Sequence, residues 1–310
     1  MSHHDGRGAR IRFEDGRARL VPPTSVPEGW LQAAFSVLSP GTEQRYLQAT
    51  VAGPPRMAGY MALALAPSGS PDGDGWVLAA VPHGAAIDPN GADLLVCPSG
   101  AGVEVAAVAR FQLMSAVGFA RTLTGSWREA PVWWGNPETD VPLVVGSGPV
   151  ALGCVLELKR RGAPRVRVLT GRSDAAVGRL PGVTLTAETE PGQHRFVVDA
   201  TGRAGAAARL VAPGGTLALL GTPEPEETLT AVGVHRGGWI VLGWHELAGH
   251  DPAVDQDLYG QIAAWLTGAV GPLQVAAWCR RWPGEQAEQL YASLTGLNRP
   301  PEPVLLLEWT

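Results

Sequence analysis

The chain has 310 residues, which is too long for one small core and fits two domains. Hydrophobic residues make up 45% of it and charged residues 17%, a balance typical of globular rather than disordered proteins. The formal net charge of −5 provides no basic field, so we expect neither nucleic acid nor a membrane surface as a partner.

The cysteines and the N-terminus indicate a cellular compartment. Cys97, Cys154 and Cys279 lie far apart and show no CxxC or Cys/His spacing, so we expect neither a disulfide framework nor a structural zinc site. The first residues lack the apolar stretch of a signal peptide, and no segment reaches the ~20 apolar residues that a membrane helix needs. The sequence therefore predicts a cytoplasmic protein.

The first third of the chain is predicted to be mostly β. Residues 10–21 alternate around Asp15-Gly16, a pattern typical of a hairpin. Strand-like runs follow at 30–37 and 76–81, an apolar stretch lies at 57–66, and further short strands are expected up to residue 96. The first of these runs ends in a predicted turn at 39–43, and a polar loop is predicted at 67–75.

From residue 105 the pattern changes to helices that alternate with strands. Helices are predicted at 105–123, 149–161, 204–211 and near 253–268, with a Trp/Pro-rich connection at 127–142. Strands are predicted at 143–145, 165–169, 196–199, 216–220, 239–242 and 304–309. Apolar strands that alternate with helices are typical of a parallel sheet covered on both faces.

A glycine-rich turn in this second part predicts a dinucleotide site. Gly146 allows a tight turn after the strand at 143–145, and Gly148 lets the backbone approach a pyrophosphate at the start of the following helix. Pro149 and Val150 open that helix, and Ala151 stands where a third glycine is usual. A lone GxGxxA is a weak signal, but its strand–turn–helix context favours binding over a purely structural turn.

The end of the next strand indicates which dinucleotide is bound. NAD-specific sites usually carry an acidic residue about 20 positions after the glycines. Thr170 occupies that place here, and Arg172 and Ser173 follow it. A guanidinium and hydroxyl groups would bind a 2′-phosphate, so the sequence favours NADP(H), although Arg172 as a solvated loop residue is the alternative.

At this point the chain resembles the medium-chain dehydrogenase/reductase superfamily. The matching stretches, in family order, are LSPGTE (38–43), GSGPVALG (146–153), FVVDATG (196–202), APGGTLALLG (212–221) and GWIVLG (238–243). SPGTE and the later Val81-Pro82-His83 look most like a short, zinc-free branch that includes bacteriochlorophyllide dehydrogenases. The resemblance implies an α/β fold, with a Rossmann doubly wound parallel-sheet domain at 120–270 and a discontinuous, β-rich GroES-like catalytic domain at 1–119 and 271–310.

The resemblance also implies partners and further cofactor contacts. Thr201, Gly221 and Thr222 fall in the matching stretches and would help to hold the cofactor. A homodimer joined through the edge strand at 239–242 and a small-molecule substrate are expected.

The family's zinc ligands are missing from the matching positions. Ser39 stands in place of a cysteine, and Gly59-Tyr60-Met61 stands in place of a Gly-His-Glu motif. The region near 111–112 supplies no thiolate or carboxylate either. Zinc needs three or four ligands of the right kind, so we expect no metal to be bound in the family's manner.

Four residues remain as candidates for handling a proton without a metal. Tyr60 replaces a zinc ligand and is interpreted either as a hydrogen-bond donor or as a filler of the metal's space. Glu43 is a catalytic candidate whose alternative is a helix-capping or salt-bridged glutamate. His83 is interpreted either as a proton relay or as a structural histidine. Ser115 matches a hydroxyl that faces the nicotinamide in the family, with a helix-packing residue as its alternative.

The sequence thus predicts a zinc-independent NADP(H) oxidoreductase that transfers hydride to or from a secondary alcohol or ketone carbon. Secondary metabolism is one setting that would fit. Reduction of an activated C=C or C=N bond is the alternative chemistry. A catalytically degenerate protein that only binds dinucleotide is the alternative of another class.

Overall fold

The computed structural model describes residues 9–23, 25–66, 75–91, 93–122, 140–223, 226–294 and 299–309. The chain forms two compact units. Unit 1 comprises residues 1–109 and 252–310, and unit 2 comprises residues 110–251. Most of the predicted connections at 67–75 and 127–142 lie outside the described residues.

The strands, in chain order, are β1 (Arg10–Glu14), β2 (Arg17–Val21), β3 (Phe35–Leu38), β4 (Arg56–Met57), β5 (Ala62–Leu65), β6 (Trp76–Ala79), β7 (Leu95–Val96), β8 (Leu143–Val145), β9 (Val166–Leu169), β10 (Val183–Thr186), β11 (His194–Asp199), β12 (Val211–Leu219), β13 (Ile240–Gly243), β14 (Cys279–Pro283) and β15 (Val304–Glu308). The α-helices are α1 (Pro40–Ala49), α2 (Val103–Thr122), α3 (Pro149–Arg160), α4 (Ala204–Ala208), α5 (Ala231–Gly237), α6 (Pro252–Trp265), α7 (Pro272–Ala276) and α8 (Ala287–Leu294).

Unit 1 is built on two sheets. One has the order β2-β1-β4, and the other has the order β14-β15-β3-β5-β6-β7. The predicted hairpin is confirmed, since β1 pairs with β2 in antiparallel fashion across a turn in which Asp15 and Gly16 both have positive φ. Phe13, Leu38, Tyr291 and Trp309 belong to the buried cluster that joins these sheets to α1 and α8.

The predicted turn at 39–43 is wrong, because these residues begin α1. Ser39 is the residue before the helix, and Pro40 takes the first helical position, where its missing N–H costs nothing. The Ser39 backbone N–H donates to the Glu43 carboxylate at 2.8 Å and fixes the start of the helix.

The predicted domain boundaries after 119 and 270 differ from those of the structure. The helix α6, predicted to lie in the Rossmann domain, belongs to unit 1. The Tyr259 hydroxyl donates to the Ala106 carbonyl at 2.9 Å, and the Gln256 side chain exchanges two hydrogen bonds with the Val96 backbone. These contacts tie α6 to unit 1, so unit 2 ends at residue 251, and no sequence motif indicates them.

Unit 2 is a single parallel sheet with the order β10-β9-β8-β11-β12-β13. Numbered from its first strand, this is the order 3-2-1-4-5-6 of a doubly wound dinucleotide-binding fold. The strands and helices predicted from 143 to 242 are confirmed to within a few residues. The start of β12 is the exception. The strand begins at Val211, the last residue of the predicted helix, rather than at 216.

The helix α2 corrects the expectation that no segment has the length and composition of a membrane helix. Its 20 residues are long and apolar enough to meet that criterion. However, 78% of its apolar window is buried inside the protein, as is usual for the core helix of a globular fold.

Candidate functional site

The first candidate site lies in unit 2, at the glycine turn between β8 and α3. Gly146 has φ +111°, a conformation that favours glycine. A Cβ on Gly146 would lie 2.8 Å from the Thr201 methyl group. The Gly146 N–H donates to the Leu169 carbonyl at 2.9 Å, so the turn is held against the end of β9.

Gly148 differs from Gly146 because the protein itself does not require a glycine there. Its φ of −78° suits any residue, and a Cβ on it would meet no atom within 4 Å. The space beside this backbone is therefore open. Pro149 follows at the first position of the 12-residue helix α3, whose N-terminus carries a partial positive charge. Open space beside the backbone at a helix N-terminus suits a phosphate group.

The loops after β8, β11 and β12 meet at the same edge of the sheet. The Asp199 carboxylate accepts three hydrogen bonds, from the backbone N–H and hydroxyl of Thr201 and from the backbone N–H of Gly202. A Cβ on Gly221 would lie 2.6–2.7 Å from the backbone of residues 200–202, and a Cβ on Gly202 would overlap the Thr222 carbonyl. The structure thus brings Gly146, Thr201 and the backbone of 221–222 together at the point where the strand order reverses.

The loop after β9 lies beside the glycine turn. The hydroxyls of Ser147 and Thr170 are 2.8 Å apart, and the Arg172 backbone N–H donates to the Thr170 hydroxyl at 3.2 Å. Arg172 is half-buried, and Ser173 is exposed. The first carboxylate of this loop is Asp174, one position further along.

The second candidate site is a buried cluster of titratable side chains in unit 1. Glu43, His83 and Tyr291 are each at most 1% exposed. The Glu43 Oε2 atom lies 3.0 Å from His83 Nε2 and also accepts a hydrogen bond from the Tyr291 hydroxyl. Burial, followed by the charge of Glu43 and its hydrogen bond, raises the pKa of Tyr291 well above 10. The hydrogen bond from the Ser39 backbone supports the helix-capping interpretation of Glu43. Glu43 is nevertheless fully buried, unlike most glutamates, which lie on the surface.

The hydrogen bonds of this cluster are consistent with one arrangement of donors and acceptors. An ionised Glu43 would accept from Ser39 N–H, from the Tyr291 hydroxyl and from His83 Nε2–H. That tautomer leaves His83 Nδ1 unprotonated, and within the described part of the chain this buried nitrogen has no hydrogen-bond partner. A carboxylate that orients one nitrogen of an imidazole leaves the other one able to act as a base.

The His83 ring packs directly against the backbone that precedes Tyr60. Gly59 has φ +80°, and a Cβ on it would overlap the His83 ring. The structure therefore brings Glu43 and His83 together and places Tyr60, which is half-buried, one residue after the glycine that covers the ring. Ser39 and Met61, at the other zinc-ligand positions of the resemblance, are at most 3% exposed.

Ser115 belongs to unit 2, whereas Glu43 and His83 belong to unit 1. It is fully buried on α2. Its buried hydroxyl has no hydrogen-bond partner within the described part of the chain, and burial raises the pKa of the Cys154 thiol on the neighbouring α3 to about 12. This placement supports the helix-packing interpretation.

Among the described residues, no three His, Cys, Asp or Glu side chains are grouped so that they could hold a metal ion. Cys97 and Cys154 are buried, and burial raises the pKa of the Cys97 thiol to about 11.

Sequence reasoning missed Tyr291 and Asp199. The sequence could have indicated Asp199, because it is a charged residue at the end of an apolar strand and just before Thr201-Gly202. Tyr291 had none, because it lies on α8, about 250 residues from Glu43 and outside every motif.

No family model matches the sequence, and no curated protein sequence matches it. Solved structures do match. Galactitol-1-phosphate dehydrogenase from Escherichia coli matches with a TM-score of 0.71 at 14% identity, over 97% of this chain and 99% of that one. The protein YhdH from E. coli K-12, with bound NADPH, matches with a TM-score of 0.68 at 16% identity, over 98% and 100%. Acetophenone reductase from Geotrichum candidum, in complex with NAD, matches with a TM-score of 0.67 at 14% identity, over 97% of each chain.

These likenesses define the class of fold. The chain shares the α/β fold of these solved dehydrogenase and reductase structures, with a Rossmann sheet in one unit and β-rich sheets in the other. The predicted fold class is therefore confirmed.

Proposed function

We propose that this chain is an NADP(H)-dependent oxidoreductase that works without zinc. It interconverts a secondary alcohol and a ketone in a small organic molecule. The observation that carries the proposal is the open space beside Gly148, at the point of the sheet where a doubly wound fold binds dinucleotides. The likeness to YhdH with NADPH and to acetophenone reductase with NAD supports both the cofactor class and the carbonyl chemistry.

The residues of unit 2 fit a dinucleotide. Gly146 makes the tight turn, Gly148 leaves room for the pyrophosphate, and the N–H groups that follow Pro149, beginning with Val150, would donate to it. The edge formed by Thr201, Gly221 and Thr222 would hold the rest of the cofactor. A bound NADP(H) supplies the carbon that carries the hydride, and the chain orients it.

NADP(H) is proposed over NAD(H) because of the loop after β9. Thr170 takes the place of the usual acidic residue, and its hydroxyl is already held by Ser147 and by the Arg172 backbone. The Arg172 guanidinium and the exposed Ser173 hydroxyl would bind a 2′-phosphate through charge-assisted hydrogen bonds.

Tyr60 is proposed to handle the substrate's proton. A hydrogen-bond donor can stabilise the negative charge that develops on a carbonyl oxygen, which is the task of zinc in metal-containing relatives. His83 and Glu43 would support it from behind Gly59, since the ring packs against that backbone. Ser115 is the least supported candidate, because it is buried between helices.

The proposal also covers the branch of the superfamily, the oligomeric state and the cellular location. A zinc-free branch resembling bacteriochlorophyllide dehydrogenases, a role in secondary metabolism and a cytoplasmic location fit the sequence. A homodimer through β13 is supported by its edge position beside β12 and by Ile240, which is 50% exposed, since an apolar edge strand favours pairing. Sedimentation at micromolar concentration tests the dimer, and elemental analysis of protein purified without added metal tests the absence of zinc.

Turnover with NADPH tests the function. The protein is assayed with a ketone and with an enone of matched shape, and the products are identified. Reduction of the ketone carbonyl is expected, with zinc well below one atom per chain and activity that withstands chelators. Reduction of the enone C=C bond alone would replace the proposed chemistry with its alternative. Stoichiometric zinc that is needed for turnover would overturn the proposed mechanism, and NADPH binding without turnover on a broad panel favours a degenerate binding protein.

A further inference from the structure

Three arginines line one cavity at the amino edge of the parallel sheet, opposite the glycine turn. The cavity has a volume of about 250 Å³, and its lining includes Arg165, Arg167 and Arg195. Asp140 is the only carboxylate among the lining residues. Three guanidinium groups against one carboxylate leave an excess of two positive charges, in a chain whose net charge is −5.

The strand register explains why the arginines converge. Arg167, Leu143 and Val197 are aligned across β9, β8 and β11, so they share one face of the sheet. Arg165 lies two residues before Arg167, and Arg195 lies two residues before Val197. Arg165 stands just before β9 and Arg195 stands where the pairing of β11 with β12 shifts register, and the side chains of both line the same cavity as Arg167. Leu143 and Val197 are fully buried, whereas the three arginines are at least partly exposed.

Two of these arginines are not neutralised by a carboxylate within the described part of the chain. The side chains of Arg167 and Arg195 form no hydrogen bond or ion pair with another described side chain, unlike Arg160 and Arg161 of the same unit, which bind the buried Glu157. Unneutralised guanidinium groups in a concave, polar site attract an anion. Guanidinium also matches the oxygen geometry of phosphate-type anions through paired hydrogen bonds.

The neighbouring histidine, His194, lines the same cavity and is sensitive to its charge. His194 is 5% exposed, and its Nε2 atom lies 2.8 Å from the Thr189 hydroxyl. Burial lowers the pKa of His194 and the positive charge of Arg167 lowers it further, against a hydrogen bond with the Val141 backbone that raises it. The imidazole is therefore neutral at pH 7.5 and senses the charge in the cavity.

We propose that this cavity binds a small phosphate-type oxyanion, either the free ion or the phosphate group of a monoester, at a site separate from the dinucleotide site. The volume is below the range of about 300–1,000 Å³ typical of pockets for larger organic ligands, which favours a small anion. The site lies at the amino ends of β9 and β11, whereas dinucleotides bind beyond the carboxyl ends of such strands. This inference does not depend on the proposed enzymatic activity.

Titration followed by NMR tests the site. Inorganic phosphate is added to the full, isotope-labelled chain at pH 7.5, with sodium chloride exchanged to keep the ionic strength constant. A saturable shift is expected for the His194 ring and for the backbone amides of Arg167 and Arg195. A parallel titration with glycerol phosphate, a monoester, distinguishes the ester from the free ion as the preferred form.

Charge-neutral variants locate the binding. Arg167→Gln and Arg195→Gln should each weaken the apparent affinity by roughly tenfold or more, the usual effect of losing a charge-assisted hydrogen bond. Arg179→Gln removes an exposed arginine of the same unit outside the cavity and should leave the affinity unchanged. Arg172→Ala should also leave it unchanged, which separates this site from the dinucleotide site.

The outcomes decide the proposal in either direction. Arg195 is exposed, so Arg195→Gln keeps the test valid if Arg167→Gln does not fold. Shifts that do not saturate with either anion, or that survive both Arg167→Gln and Arg195→Gln, would overturn the proposal. An equal loss in Arg179→Gln would do the same, because it would mean that only the overall charge matters.

Discussion

Two glycines of the same helix region should respond in opposite ways to an added methyl group. Gly148 has open space around a built Cβ and an ordinary φ, whereas a Cβ on Gly153 would overlap the Phe111 carbonyl and lie 2.7 Å from the Gln112 nitrogen. The first glycine is free of packing demands, so its role must lie in what occupies the open space. The second is needed where α3 approaches α2.

The stability change can be estimated for each variant. Gly148→Ala reduces the entropy of the unfolded chain, which stabilises by about 0.4–1 kcal/mol, while alanine is a poorer residue than glycine before a helix. These effects offset each other, so the free energy of unfolding should change by less than about 1 kcal/mol. Gly153→Ala forces a methyl group against backbone atoms, at a cost of up to about 3 kcal/mol. Alanine gains about 1 kcal/mol in helix propensity, which leaves a loss of about 2 kcal/mol.

The binding change should run the other way. The Gly148→Ala methyl group fills the space proposed for the pyrophosphate, so NADPH affinity should fall at least tenfold, about 1.4 kcal/mol. Folded Gly153→Ala should bind NADPH like the parent protein. Urea denaturation measures stability, and titration calorimetry measures binding. Unchanged NADPH affinity in Gly148→Ala would refute the reasoning, since the open space would then lie away from the cofactor.

Further predictions concern single side chains. Arg172→Ala should weaken NADPH binding by roughly 1–3 kcal/mol in calorimetry and leave NADH binding nearly unchanged, and an equal loss for both would remove the 2′-phosphate assignment. Tyr291→Phe takes one donor from the buried Glu43 and should lower the free energy of unfolding by roughly 1.5–3 kcal/mol at pH 7. Because the pKa of Tyr291 is raised in the folded state, the parent protein should lose stability as the pH rises above 10, and Tyr291→Phe should lack that part of the loss. Tyr60→Phe keeps the ring and should lower turnover by ~10²–10³ with little change in NADPH affinity, whereas full turnover would identify Tyr60 as a filler.

Much of unit 2 could be predicted from the sequence, because its signals are local. The apolar run 143–145, the glycines at 146 and 148 and the following helix are consecutive in the chain, and the structure confirms each element. The chain order of strands and helices also implies a parallel sheet, and the observed strand order matches it.

The buried cluster of unit 1 could be predicted only in part, because its partners are distant in sequence. Glu43 and His83 were identified by residue type and by family resemblance, but their contact spans 40 residues. The Tyr291 contact spans 248 residues and depends on how α8 packs onto α1 and β2. The boundary at 251 was missed for the same reason, since it depends on side-chain contacts of α6 rather than on a change in composition.

The central claim is that this Rossmann unit binds NADP(H) in preference to NAD(H). Calorimetric titration of the parent protein with NADPH and with NADH, in the same buffer, measures it most directly. NADPH is expected to bind with one site per chain and at least tenfold more tightly than NADH, because the loop after β9 offers Arg172 and hydroxyls where an acidic residue would repel the 2′-phosphate. Tighter binding of NADH, or binding of neither dinucleotide, would contradict the account.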